Sequence, residues 1–400
     1  VTNVEQSYSR GSIYAPLSIL AVGLFAVGTN AFVIAGLLPD IAADFGVTAH
    51  EVSYSITFYS IVVAVGAPVL SILLPRMSRT RLMALGLLVF TLGTVVAALA
   101  PTLAVFVLGR VVAAVGGAAL VPTATAAAAA IAKPEQRGRA LGFVGLGFSL
   151  ATALGSPLGT AIGAAGGWRL PILVLAGISA LTALAVAVGV RGIPVGPAVG
   201  FLARFAPLRD TRLIATLVTT VLLTAGFNVV YIFSSGVTAD ATGGDARMLA
   251  ILLLAYGVTG IIGNAGAGPL TDRIGNRISA STALIVEIVV FLLLPFLDRS
   301  FAATAVLFAV WGIVAFAAVV PVQHRLVAID PAASGIVLSW YSTAMYGGIA
   351  LAPILGSATS ATVGVRDVPF TAAIVTALAL IVFQFAYARR PRLAAAEPAQ

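Results

Sequence analysis

The chain has no cysteine and a single lysine, Lys133, among its 400 residues. The missing thiols exclude disulfides, thiol catalysis and cysteine metal sites. Charge is scarce too: only 9% of residues are charged, against about 25% in an ordinary globular chain. The sequence contains no GxxxxGK[ST] loop, so ATP hydrolysis is not expected to drive its work. It also has no HExxH, no paired acids and no nucleophile set beside a base. That argues against an embedded enzyme, and no signalling domain supports a receptor. A basic soluble domain is absent as well, so the net charge of +8 does not point to nucleic acid.

What remains is apolar. Hydrophobic residues make up 60% of the chain, and the mean hydropathy is +1.09. A helix rises about 1.5 Å per residue and the hydrocarbon core is about 30 Å thick, so a crossing needs roughly 20 apolar residues. Twelve candidate spans follow, near 14–38, 51–74, 81–100, 103–131, 137–165, 169–190, 212–235, 246–270, 277–296, 301–328, 334–358 and 367–388. They are too long for barrel strands, which leaves an all-α membrane protein. The first span is too long for a cleavable signal, and we expect it to be retained.

Basic residues fix the expected orientation. Of the 22, 17 fall in the termini and the even-numbered connections. Arg169, Arg247, Arg299 and Arg366 fall on the other side, and Arg110 lies inside the fourth span. By the positive-inside rule both termini are cytoplasmic. The lone lysine among arginines, with an excess of Ala and Val, points to a GC-rich bacterial source and so to a bacterial cytoplasmic (inner) membrane.

The longest even connection, RGIPVGPAVGFLARFAPLRDT, breaks the spans six and six. This divides the chain into an N-terminal segment 1–13, a first half 14–190, a linker 191–211, a second half 212–388 and a tail 389–400. Arg76 and Arg273 follow the second helix of each half, 197 residues apart, and Pro157 and Pro353 sit late in the fifth helix of each, 196 apart. A shared offset reads as an internal repeat, which places a substrate site near the midplane between halves that rock.

Four segments carry a family likeness: GTNAFVIAGLLPDIAADFGV in the first span, GPLTDRIGNR at Gly268 to Arg277, LGRVVAAVGGAA in the fourth span, and GSPLGTAIG in the fifth. Together they resemble the major facilitator superfamily, in its twelve-helix drug:proton antiporter branch, and in particular bacterial chloramphenicol-resistance and sugar-efflux exporters. The resemblance implies two pseudo-symmetric six-helix halves, a monomer, a small-molecule substrate, protons as the coupling partner in a lipid bilayer, and no cofactor beyond a proton gradient. A sugar or metabolite permease of the same fold is the alternative; its pocket would want more amides and carboxylates than this chain offers.

Candidate residues follow. Arg110 either serves transport or snorkels to the outer surface, about 10 Å away. Asn30, Asn228, Tyr231, Asn264, Trp340, Tyr341 and Tyr346 could form a mixed polar and aromatic substrate pocket with it, though each could equally make an interhelical hydrogen bond or anchor at an interface. Gly155 and Pro157, with Gly159 and Gly163, supply a kink and a small-residue face for closure, or generic packing. The resemblance makes Asp272, Arg273 and Arg277 a conformational latch; otherwise they form a solvated basic loop. The first half carries Pro75 before Arg76 where the family has an acid, so the latch is expected on one side only. Related exporters carry a glutamate in the first span, where this chain has Ala31. Glu287, the only fully embedded carboxylate, and Asp40, at the outer end of the first span, are the remaining proton-coupling candidates. The alternative for Glu287 is a neutral, protonated acid that merely hydrogen-bonds a neighbouring helix. His324 and Arg325 read as surface residues closing the tenth span.

Overall fold

The computed structural model describes residues 13–74, 77–133, 136–190, 193, 202–331 and 333–388, and among these it contains helices and no strand. The first half comprises α1 (Tyr14–Phe45), α2 (Ala49–Leu73), α3 (Arg79–Ala98), α4 (Leu103–Ile131), α5 (Arg137–Leu150), α6 (Ser156–Gly166) and α7 (Arg169–Gly189). A π-helical turn, Ala151–Gly155, joins α5 to α6 in one continuous rod. After a 3-10 segment at Leu202–Arg209 come α8 (Thr211–Ile232), the short α9 (Ser234–Val237) and α10 (Ala239–Thr242), α11 (Ala246–Ile274), α12 (Asn276–Leu297), α13 (Phe301–Ile329), α14 (Ser334–Thr362) and α15 (Val368–Ala388).

Eleven of these segments, counting α5 to α6 as one, are long and apolar enough to cross a membrane. The expected eleventh span is the exception: α14 is a long helix of 29 residues, but its Ser, Thr, Trp and Tyr content lowers its hydropathy. The first span runs on to Phe45, and the seventh breaks at Phe233 into α9 and α10. Arg76 and Pro75 lie outside the described residues, as do the tail and residues 191, 192 and 194–201 of the linker.

Packing repeats between the halves. In the first, α1 packs on α5 and α7, α2 on α4, and α3 on α4 and α7. In the second, α8 packs on α14 and α15, α11 on α13, and α12 on α13 and α15. Glycine makes the closest of these contacts. A Cβ on Gly93 would overlap the backbone of Ala113, and one on Gly109 would overlap that of Ala97, so α3 and α4 meet backbone to backbone. Small residues drive such approaches in lipid, where the hydrophobic effect between helices is lost.

The halves touch on the face away from the termini. There Ser53 of α2 lies 3.3 Å from Ser357 of α14, and Thr57 donates to the Ala350 carbonyl at 2.9 Å. The π turn presses on α11 so closely that a Cβ on Gly257 would overlap the Ala153 backbone. On the terminus-bearing side the helices part. Gly142 and Gly145 of α5, Gly266 and Gly268 of α11 and Gly335 of α14 have open space where a Cβ would stand.

The closed face is capped by the loops of the second half. Asp298, 3% exposed, accepts from the backbone N–H groups of Asp240 and Ala241. Arg366 reaches Asp240 at 3.8 Å and donates to the Pro295 carbonyl at 3.1 Å. Burial pushes the Asp298 carboxyl up to about 6, from a usual value of 3.8. A group raised in this way contributes most below its unfolded pKa, and the contribution is lost as pH rises through the folded one. Asp298→Asn is therefore expected to raise the melting temperature at pH 7 and to flatten its dependence between about pH 4 and 6. Equal pH profiles for variant and wild type would contradict that assignment.

Because the chain lacks cysteine, paired cysteines can test the closed face directly. Ser53→Cys with Ser357→Cys should oxidise readily to a disulfide, arrest transport and recover on reduction. Failure to cross-link would show that these helix ends stand apart in the membrane.

Candidate functional site

Arg110 is the centre of the site. The glycine seam between α3 and α4 fixes the rotation of α4, and Arg110 follows Gly109 on it. The side chain is 1% exposed and so is buried rather than snorkelling. Its Nη1 donates to the Asn30 backbone carbonyl at 2.6 Å and also to Asn30 Oδ1. Asn30 Nδ2 in turn donates to Thr94 Oγ1 at 3.3 Å, and the Thr94 hydroxyl donates to the Phe90 carbonyl at 2.7 Å. Three helices, α1, α3 and α4, are thus tied through one amide. The guanidinium lies over the ring of Tyr59 on α2, 4.5 Å from its centroid. Such a stack adds a cation–π attraction that strengthens when desolvated.

Tyr59 carries the site toward the cavity. It lies with Tyr346 of α14 between two contacts of those helices, Thr57 to the Ala350 carbonyl at 2.9 Å and Thr343 to the Ala64 carbonyl at 3.4 Å, and both buried tyrosine hydroxyls lack a hydrogen-bond partner. Tyr346 lines a cavity of about 320 Å³ on the terminus-bearing side, between α2, α4, α5 and α14. The wall is apolar, from Val63, Val121, Pro122 and Leu338 among others, with hydroxyls from Thr125, Ser339, Ser342 and Thr343. No charged residue lines it among the described residues.

The other expected pocket residues are dispersed. Asn228 donates to the Thr224 carbonyl of its own helix at 2.9 Å. Tyr231 donates to Ser156 Oγ at 2.8 Å, across the two halves, and meets Phe32 edge-on at 5.7 Å. Asn264 is exposed on α11. Trp340 donates to the Arg204 carbonyl at 2.8 Å and packs on Phe205, so it fastens the 3-10 segment to the start of α14. Tyr341 is buried with Leu213, Leu326 and Val337. Of the expected set, Asn30 and Arg110 touch, and Tyr346 lies across the α2–α14 contact near Tyr59, on whose ring Arg110 rests.

The proton candidates also separate. Asp40 is exposed near the end of α1. Glu287 of α12 is fully buried, accepting from Trp311 Nε1 of α13 at 3.2 Å, while its Oε2 has no protein partner. Trp311 stacks on Tyr256 at 4.3 Å between centroids, and Tyr256 lies 5.4 Å from Tyr231. This acid therefore sits within the second half, joined by an aromatic ladder to the contact between halves.

At the gate, Gly155, Gly159 and Gly163 turn toward α1, where a Cβ would meet Thr29, Val33 and Leu37. Pro157 is buried beside them. The same rod meets the other half through Ala153 of the π turn, against Gly257, and through Ser156 at the start of α6, which accepts from Tyr231. Asp272 and Arg273 are exposed and take part in no ion pair among the described residues. Arg277 donates to Gln384 Oε1 at 2.7 Å. Arg325 corrects the surface reading: it is 8% exposed, donates to Thr216 Oγ1 at 3.2 Å and to the Ala386 carbonyl, and stacks on Tyr387 at 3.4 Å. His324 stays at the surface, 3.1 Å from Asn276 Oδ1.

Tyr59, Thr94, Ser156 and Trp311 are the partners that sequence reasoning missed. For Tyr59 a signal existed, since the second span contains the hydroxyl-rich run SYSITFYS. Asn30→Ala removes the amide that ties α1 to α3 and α4, leaving Arg110 one bonded acceptor. A loss of about 1–3 kcal/mol is expected, read as a lower melting temperature in detergent; an unchanged value would mean that the tie is not structural.

The Major Facilitator Superfamily profile matches residues 20–235 and 215–400. The inner membrane transport protein YdhP of Escherichia coli O157:H7 is 30% identical over 377 residues, covering 94% of this chain and 97% of YdhP. The uncharacterized MFS-type transporter YbcL of Bacillus subtilis (strain 168) is 28% identical over 379 residues, covering 94% of this chain and 96% of YbcL. Among solved structures, a bacterial homologue of the human lysosomal transporter Spinster, inward-facing and unoccupied, superposes with a TM-score of 0.72. That likeness covers 95% of this chain and 96% of the other at 16% identity, and so speaks to the fold alone. The duplicated helical packing, the cavity between halves and the matched sequence agree: this chain is a multi-pass membrane transporter and belongs to the Major Facilitator Superfamily.

Proposed function

We propose that the protein is a secondary exporter of small amphipathic molecules, of the antibiotic or drug class, working by alternating access against inward proton flow in a bacterial inner membrane. The observation that carries this reading is the asymmetry of the two faces, sealed by Ser53, Ser357 and the π turn on one side and open to a largely apolar cavity on the other. Basic residues cluster on the terminus-bearing side, so that side is the cytoplasm and the cavity faces inward. An apolar wall with a few hydroxyls suits an amphipathic ligand better than a sugar, which needs many fixed polar partners.

On this reading a rocking of the halves breaks the Tyr231–Ser156 bond and the seam at Gly257. Asp272 and Arg273 remain free to pair as the cytoplasmic mouth shuts. Glu287 is the proton carrier, since no acid stands at position 31 and Asp40 lies at the surface. Its link through Trp311, Tyr256 and Tyr231 gives a protonation event a path to the contact that must open. The protein works as a monomer, each chain holding both halves of the site.

Proteoliposomes with an imposed pH gradient and a panel of labelled antibiotics, sugars and nucleosides test the reading. Gradient-driven movement of an antibiotic is expected; movement of sugars alone would support the permease instead. Glu287→Gln should keep downhill exchange while losing gradient-driven accumulation, and unchanged accumulation would remove Glu287 from the coupling path.

A further inference from the structure

Arg110 is a buried positive charge with no carboxylate beside it among the described residues. Asp44 pairs with Arg169 at 2.9 Å and Glu51 caps Thr48 at 2.8 Å, both at the far surface. Glu287 belongs to the other half, against Trp311. The guanidinium is bonded only through Nη1, while its Nε and Nη2 have no protein acceptor. The buried hydroxyls of Tyr59 and Tyr346 are likewise unpartnered. These groups follow one another, Arg110 over the Tyr59 ring, and Tyr59 and Tyr346 both between the Thr57–Ala350 and Ala64–Thr343 contacts of α2 with α14, where Tyr346 lines the cavity.

An ion removed from water needs a counter-charge or a full set of hydrogen bonds, and here the protein provides part of the second and none of the first. A cationic ligand would meet a like charge. A neutral one would leave the guanidinium uncompensated. An anion satisfies both demands, since a guanidinium offers parallel N–H donors to a planar acid and the tyrosine hydroxyls can add neutral ones. We propose that Arg110, Tyr59 and Tyr346 bind the anionic head group of an amphipathic substrate, a carboxylate, sulfonate or phosphate, whose apolar part occupies the cavity between α2, α4, α5 and α14. This rests on the exporter reading and narrows its substrate class. For the head group to reach Arg110, the ligand passes Tyr346 and enters between the tyrosine rings as the halves move.

The test uses one tail with three heads: octanesulfonate, octan-1-ol and octyltrimethylammonium, titrated calorimetrically into the full chain in nanodiscs. Octanesulfonate should bind best. Arg110→Gln should weaken it at least about tenfold, Arg110→Lys should fall between, having the charge without the fork, and Tyr59→Phe or Tyr346→Phe should each cost about two- to tenfold. The tyrosine variants keep the test valid if Arg110→Gln fails to fold. Nanodiscs with and without phosphatidylglycerol separate the sources of the anion: unaltered affinity assigns a free amphipath, and competitive loss assigns a lipid head group at the same guanidinium. Equal binding of the three heads, preference for the cation, or indifference of octanesulfonate to both arginine variants overturns the proposal. Proteoliposome flux with the same probes separates this failure from that of the exporter reading. Gradient-driven movement of the cation would preserve the exporter and sink the anion site, whereas Arg110-dependent anion binding without any flux would do the reverse.

Discussion

A guanidinium held in a membrane span without a neighbouring acid is the constraint around which the first half is arranged. Such a group is tolerated only where protein surrounds it. Asn30 supplies two acceptors to one nitrogen and passes the tie on to Thr94. That geometry rests on α3 and α4 standing closer together than ordinary side chains permit. Gly93 and Gly109 make the approach possible, so the small residues of the seam and the charge beside them form one device.

The second half answers with a buried acid. Glu287 is separated from Arg110 by the boundary between the halves, so the two charges do not cancel in a local ion pair. Each is instead partly satisfied at home, Arg110 by Asn30 and Glu287 by Trp311. Both also connect to the contact between halves, Arg110 through Tyr59 toward Tyr346 and Glu287 through Tyr256 to Tyr231. A change of charge at either is therefore felt where α2 meets α14 or where the π turn meets α11. This is the arrangement that a rocking cycle needs, because a ligand shifts an equilibrium only through contacts that differ between its states.

Much of this fold was legible because lipid imposes simple rules. Length and apolarity located the helices, and arginine placement separated the two faces. The length ruler also located α14, at 334–358, although its hydropathy falls short of the other spans, because its Ser, Thr and Tyr residues serve the interface with α2 and the cavity instead of lipid. Side-chain partners were less accessible. Sequence placed Trp340 and Tyr346 on one helix, six residues apart, yet the first fastens the linker and the second lines the cavity. Arg325 looked like a surface charge because it sits near a helix end, but the termini of α8 and α15 close over it. Facing directions depend on crossing geometry, which a single sequence does not encode locally.

The alanine at position 31 gives the last step. The family resemblance sets an acid at this position, next to Asn30, the residue that here anchors Arg110. Ala31 is 4% exposed and adds no charge, so the fixed cation of the first half keeps its full field. A pump built in this way cannot alternate a proton and a substrate at one carboxylate beside Arg110. If protons drive it, their carrier lies in the other half, and competition at a shared site gives way to linkage through the contact between halves. On the exporter reading, an alanine here leaves Arg110 to the substrate and makes the coupling conformational.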